Sequence, residues 1–111
     1  IELSQSSGEG FITAEYYRLK AIILIDIGAS GDDIQTAVEK GITLARELKS
    51  TLIEFRTALT YAHYLVKQGH YQKAHQLLQP IYDSFIDKTG YPDVQEAEQL
   101  MANIGQHLGI I

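Results

Sequence analysis

The fold is decided by the stretch AHYLVKQG at residues 62–69, because a similar stretch, AIILIDIG, occupies residues 21–28. Alanine, leucine and glycine fall at the same places in both stretches, so that Gly69 lies 41 residues after Gly28. A glycine after an apolar run is typical of a helix end, because it takes the left-handed backbone conformation without steric cost. The two stretches therefore predict two similar helices, each followed by a turn.

A second helical pattern follows each of these turns. Apolar or small residues recur at helical spacing from residue 32 to 49 and again from residue 71 to 88. Ala37 and Ala74 occupy corresponding places in the two segments, where a small side chain lets two helices cross closely. We therefore interpret the chain as one helix–turn–helix unit used twice, followed by a final helix that covers the exposed end.

These patterns predict one all-α domain at residues 11–111, preceded by a linker or disordered end at residues 1–10. The predicted helices span about residues 11–28, 32–49, 51–68, 71–89 and 92–108. The first helix is apolar on more than one face, and we expect it to be packed on both sides.

Local signals predict how the individual helices begin and bend. Asp32 or Asp33 is expected to cap the second helix, and Thr51 to open the third with a capping box. Pro80 lies inside the fourth helix, where it predicts a kink or a local break. Pro92 suits the first turn of the last helix, since its missing N–H is not needed there.

Composition and charge exclude several classes of function. The chain has 111 residues, a net charge of −5 and scattered basic residues, which argues against binding to nucleic acid or to an anionic membrane. The lack of cysteine excludes disulfides, thiolate zinc sites and thiol catalysis. The longest apolar stretch, residues 21–27, is too short to span a bilayer. We expect a cytoplasmic piece of a longer protein.

No motif in the sequence indicates catalysis or a bound metal. The glycines near residue 28 lack the Lys-Ser/Thr of a phosphate loop, and there is no Gly-x-Ser-x-Gly. The four histidines have no zinc-binding spacing. The paired carboxylates Glu96 and Glu98 are interpreted as a solvated helix face. We therefore expect no enzyme activity, no metal and no cofactor.

The segment KQGHYQKA at residues 67–74 resembles the turn of a tetratricopeptide repeat (TPR). A longer ordered series resembles the C-terminal repeat region of large bacterial multidomain signalling ATPases, which join an NTPase module to a cyclase, kinase or transcription-factor domain. Its pieces are AEYYRLK at 14–20, GITLAR at 41–46, STLIEFR at 50–56, QGHYQKAHQLLQPIY at 68–82 and YPDVQEA at 91–97. The resemblance implies a TPR-like right-handed helical solenoid fragment of two hairpins and a capping helix, with catalysis in upstream domains.

The same resemblance implies a binding groove. In TPR proteins the first helix of each pair lines a concave face, and the corresponding residues here are Glu15, Arg18, Ile22, Arg56, His63 and Lys67. Of these, Arg18, Arg56 and Lys67 would donate hydrogen bonds to acidic groups of a partner. In a longer protein these positions would instead contact a preceding repeat, and the sequence leaves both interpretations open.

Two functions follow from the resemblance. The first is a non-catalytic interaction or scaffold module of a larger bacterial signal-transduction protein, stacked on upstream repeats. The alternative is a free-standing adaptor that binds a peptide or partner helix in its groove. In both, the partner is a protein, and an exposed repeat face also allows a homo-oligomer. A stacked module is expected to expose an apolar patch on its first helix, whereas an adaptor buries that face.

Overall fold

The computed structural model describes residues 8–85 and 91–109. These residues form five helices and no strand, which confirms the all-helical prediction for this part of the chain. The helices are α1 (Gly8–Asp26), α2 (Gly31–Glu47), α3 (Thr51–Lys67), α4 (Tyr71–Ser84) and α5 (Pro92–Leu108).

The helix α3 lies at the centre of the arrangement and contacts each of the other four helices. One layer consists of α1, α3 and α5, in which α3 touches both of its neighbours. The second layer contains α2, which packs on α1 and α3, and α4, which packs on α3 and α5. The order is therefore two consecutive helical hairpins, α1–α2 and α3–α4, with α5 against the second.

The turns after α1 and α3 have the same geometry, 41 residues apart. Gly28 and Gly69 have left-handed φ angles of +73° and +81°. In each turn the residue after the glycine donates its N–H to the carbonyl five residues earlier, at 2.9 Å after α1 and 2.8 Å after α3. This is the bond that satisfies a free carbonyl at a helix end. The left-handed conformation expected of Gly28 and Gly69 is thus observed, and the two turns share one backbone geometry.

The main core is formed by the buried faces of all five helices. Phe55 on α3 is fully buried and stacks on Phe85, with ring centroids 4.8 Å apart. The approach of α2 to α1 and α3 is close at Gly41, where an added Cβ would lie 3.4 Å from Tyr17 Cβ and 3.5 Å from Thr57 Cγ2. Small residues thus set the distance between the first hairpin and α3.

Two of the predicted helix caps are wrong. Ser30, not Asp32 or Asp33, caps α2, since its hydroxyl accepts the Asp33 N–H at 3.2 Å. Ser50, one residue before Thr51, caps α3 by accepting the N–H of Ile53 at 3.3 Å. Both serines lie just outside the helix with extended backbone angles, and this geometry places their side chains over the free amides.

The observed bounds differ from the predicted ones by one or two residues in α2 and α3, and by more at the start of α1 and the end of α4. The first helix begins at Gly8, so residues 8–10 are helical and only residues 1–7 of the expected linker lie outside the described residues. The described part of the fourth helix ends at Ser84, because Phe85 takes an extended conformation and is buried. The predicted end at residue 89 lies outside the described residues. Helix α4 continues through the exposed Pro80 without a break. Pro92 begins α5 as predicted.

Candidate interaction surfaces

All six residues that the sequence assigned to a groove lie on α1 and α3, in the layer of α1, α3 and α5. On α1, Arg18 forms a two-point ion pair with Glu15, in which Nε donates to Oε2 at 2.7 Å and Nη2 donates to Oε1 at 2.9 Å. Such paired hydrogen bonds are among the strongest that a guanidinium makes. The Arg18 side chain is therefore directed to a carboxylate of its own helix.

The Glu15 carboxyl has a lowered pKa for reasons that follow from this pair. The hydrogen bonds from Arg18 lower the pKa most, and partial burial opposes them. The positive charges of Arg18 and, from α3, Arg56 lower it further. Glu15 thus couples α1 to α3 electrostatically, although its carboxyl bonds only within α1 among the described contacts.

This lowered pKa predicts an acid-sensitive contribution to stability. A carboxyl with a lower pKa in the folded chain stabilises the fold above its unfolded pKa, for which the ordinary value is 4.5, and this contribution is lost as the pH falls through the folded pKa. We expect Glu15→Gln to lower the melting temperature at neutral pH and to have little effect well below pH 4.5. Thermal unfolding of both chains over this pH range measures the difference, and a difference that does not change with pH would contradict it.

Two further pairs connect α3 with α5. Arg56 Nε lies 3.4 Å from Asp93 Oδ2, and His63 Nε2 lies 2.6 Å from Glu96 Oε2. The phenol of Tyr82 on α4 donates to Glu98 at 2.6 Å, and this bond raises the pKa of Tyr82 most. The acidic residues of α5 therefore anchor the last helix.

The sequence did not reveal these partners of Arg56 and His63. Asp93 has no role in the predictions from sequence, and Glu96 is predicted to lie on a solvated helix face. The available signal was an acidic residue in the first turn of α5 and another three positions later, on the same side of a helix. That spacing indicates a shared face but does not show which helix the face meets.

Ile22 and Lys67 lie together at a different place, in a shallow pocket between the carboxyl ends of α1 and α3. The pocket has a volume of about 200 Å³ and is lined by Ile22, Ile25, Asp26, Thr60, His63, Tyr64 and Lys67. Lys67 is exposed and forms no ion pair with the rest of the described chain. Of the three cations expected to face a partner, Lys67 is thus the one without an internal carboxylate.

An exposed apolar surface lies on α1, on the side opposite its buried alanines. Ala14 and Ala21 are fully buried against the rest of the molecule. Turned away from them is a row that we name the open stripe, formed by four residues of α1 and one directly after it, each 49% to 70% exposed: Ile12, Tyr16, Leu19, Ile23 and Ile27. The spacing is that of one helix face. The expectation that the first helix is packed on both sides is therefore wrong for this chain on its own.

The corresponding face of α3 is covered in the first half of that helix. The 41-residue offset relates Ile12 to Ile53 and Tyr16 to Thr57. Ile53 is 7% exposed, in a small cluster with Ala14 and Ala45 of the first hairpin, whereas Ile12 is 68% exposed. Thr57 is fully buried beside Gly41, whereas Tyr16 is 55% exposed. The first hairpin thus covers Ile53 and Thr57 on α3, whereas the corresponding residues of α1 stay exposed.

The opposite end of the molecule is polar. Helix α5 buries Val94, Ala97, Leu100 and Ile104 against the core. Its exposed positions between residues 95 and 107 are Gln95, Glu96, Glu98, Gln99, Ala102, Asn103, Gln106 and His107. The two ends therefore differ in character, with an apolar face at α1 and a solvated face at α5.

Metal binding and membrane insertion leave no sign in the described residues. In the part of the chain that the structure describes, no three histidine or acidic side chains lie close enough to share a metal ion. Within the same part, no helix combines the length and hydrophobicity needed to cross a bilayer.

Comparison with known proteins gives no match among family models, curated proteins or solved structures.

Proposed function

We propose that this chain is a non-catalytic protein–protein interaction module that stacks on another helical hairpin through the open stripe of α1. In this proposal the fold is a TPR-like right-handed helical solenoid fragment, with α1–α2 and α3–α4 as repeats and α5 as the capping helix. The sequence resemblance adds the setting, which is the C-terminal part of a cytoplasmic bacterial signalling protein whose catalytic domains lie upstream.

The observation that carries the proposal is the open stripe, compared with its counterpart on α3. Repeat proteins bury the apolar face of each unit against the next unit and end in a unit with a polar outer face. The exposed row on α1 and the polar row on α5 fit the two ends of such a stack. A row of five large apolar residues on one helix face is also more than the scattered apolar residues that ordinary protein surfaces carry.

A second candidate, the adaptor, is favoured by the pocket beside Lys67. Ile22 and Ile25 supply an apolar wall there, and Lys67 supplies a cation that has no ion pair among the described residues. The pairing of Arg18 with Glu15 and of Arg56 with Asp93 argues against this candidate, since both guanidinium groups already have carboxylate partners.

A duplicated chain tests the stacking proposal. In the duplicated chain, residues 1–50 are joined directly to a second copy of residues 10–111. Gly10 of the second copy then takes the place of Thr51, so the 41-residue spacing is kept. The second copy of α1 then meets the first copy of the hairpin, and it carries Tyr16→Thr to restore the residue that Gly41 meets in the natural chain. We expect the duplicated chain to unfold in one cooperative transition, with a melting temperature above that of the natural chain, because each added repeat interface stabilises its neighbours.

The matched control is the unduplicated chain with Tyr16→Thr, which separates the substitution from the stacking. An added hairpin that unfolds by itself at a lower temperature, or that leaves the melting temperature of the remainder unchanged, would argue against the proposal.

A further inference from the structure

The contact between α3 and the first hairpin shows what covers a face of this kind. Ile53 lies in a cluster with Ala14 on α1 and Ala45 on α2. The methyl group of Thr57 lies 3.5 Å from the place where Gly41 would carry a Cβ. The covering surface is therefore built from small residues on both helices of a hairpin.

Towards the carboxyl end of α3 the covering surface changes. Thr60 and Tyr64 line the pocket together with the aliphatic side chains Ile22 and Ile25 of α1. The hydroxyl of Tyr64 lies 3.6 Å from the Cβ position of Gly31, at the start of α2. Aliphatic residues and a glycine thus replace the alanines at this end.

The open stripe presents larger residues at two of these places. By the 41-residue offset, Tyr16 stands where α3 has Thr57, and Leu19 stands where α3 has Thr60. The Tyr16 ring lies edge-on against Tyr17, with centroids 5.0 Å apart, and Lys20 lies 6.0 Å from its centroid. A helix that crosses α1 here meets a phenol ring rather than a methyl group.

We infer that the open stripe binds an antiparallel helical hairpin of a partner. This partner hairpin has small residues opposite Ile12. Opposite Tyr16 it has a notch that is wider than the space that Gly41 leaves for Thr57. The inference rests on the proposed function and names the partner of the same face. Tyr16 is the residue that sets specificity, because it excludes a partner with the ordinary spacing of the α1–α2 hairpin.

A second copy of this chain does not offer such a surface. The matching face of its α1–α2 hairpin is covered by its own α3, where Ile53 and Thr57 are buried. The outer face of its α5 is polar between residues 95 and 107. The occupant is therefore a further hairpin and not another copy in head-to-tail order.

The duplicated chain tests this inference when it is prepared with and without Tyr16→Thr in the second copy. We expect the threonine form to melt at least about 2 °C above the tyrosine form, because the unaltered Gly41 notch is too narrow for the ring. In the unduplicated chain, the same substitution is expected to leave the melting temperature nearly unchanged, since Tyr16 is 55% exposed there.

The other outcomes separate the inference from the proposed function. If both duplicated chains melt above the natural chain and the tyrosine form is equally or more stable, the notch is disproved while stacking stands. If neither melts above the natural chain, both are overturned. Light scattering of the natural chain over a concentration series tests whether a second copy of this chain binds the open stripe. A dimer that Ile12→Asp abolishes would assign the stripe to a second copy and overturn the inference.

Discussion

Replacement of Phe55 with alanine is expected to lower the free energy of unfolding by about 3–5 kcal/mol, the cost of removing a large buried aromatic side chain. Phe55 is fully buried on the central helix, stacks on Phe85 and lies 6.3 Å from the ring of Tyr82. Its loss leaves a cavity beside the rings of Phe85 and Tyr82. Since a domain of this size has a total stability of roughly 5–15 kcal/mol, this loss removes a large fraction of the stability of the fold.

Two variants keep this expectation testable by chemical denaturation. Phe55→Leu retains part of the buried volume and should lose less stability than the alanine form. Phe11→Ala removes the same kind of ring from a position that is 44% exposed, and its effect should be much smaller. Equal losses for Phe55→Ala and Phe11→Ala would show that α3 is not the centre of the core.

The second large effect is expected at Ala62, which has no exposed surface on α3 and belongs to the main core. Ala62→Leu inserts three carbon atoms where small residues let the helices approach closely. We expect the free energy of unfolding to fall by about 1–3 kcal/mol through overpacking.

The control for Ala62 is an alanine on the solvated face of α5. Ala102 is exposed, so Ala102→Leu should change stability by less than about 0.5 kcal/mol. Thermal or denaturant unfolding of the two variants measures both values. Unchanged unfolding of Ala62→Leu would refute the close helix crossing at this position.

Much of the fold could be predicted from the sequence because helix signals are local. The apolar spacing and the glycines at 28 and 69 were enough to place the helix-turn-helix order. The caps could not be assigned, since Ser30 and Asp33 are equally good capping residues and only the backbone angles decide between them. The end of α4 depends on Phe85 turning towards Phe55, a contact between distant parts of the chain.

The interaction surfaces could be predicted only in part. The sequence indicated which residues of α1 and α3 share a side, but not that Arg56 and His63 would meet carboxylates of α5. The paired residues His63 and Glu96 are 33 positions apart in the sequence. Their contact depends on how two helices pack against each other, and the spacing of apolar residues within one helix does not encode that register. Likewise, the pattern of α1 is apolar on two faces and does not show which one remains uncovered. The open face of α1 is identified by comparison with α3, where the corresponding residues Ile53 and Thr57 are buried.

The most direct measurement of the central claim uses Ile12→Asp in two settings. In the natural chain Ile12 is 68% exposed, so the substitution should change the free energy of unfolding by less than about 0.5 kcal/mol. In the second copy of the duplicated chain, the same residue takes the place of Ile53 beside Ala14 and Ala45, where an unpaired carboxylate is costly. There we expect a loss of about 2 kcal/mol or more. Equal small losses in both settings would contradict the claim that the open stripe is a stacking face.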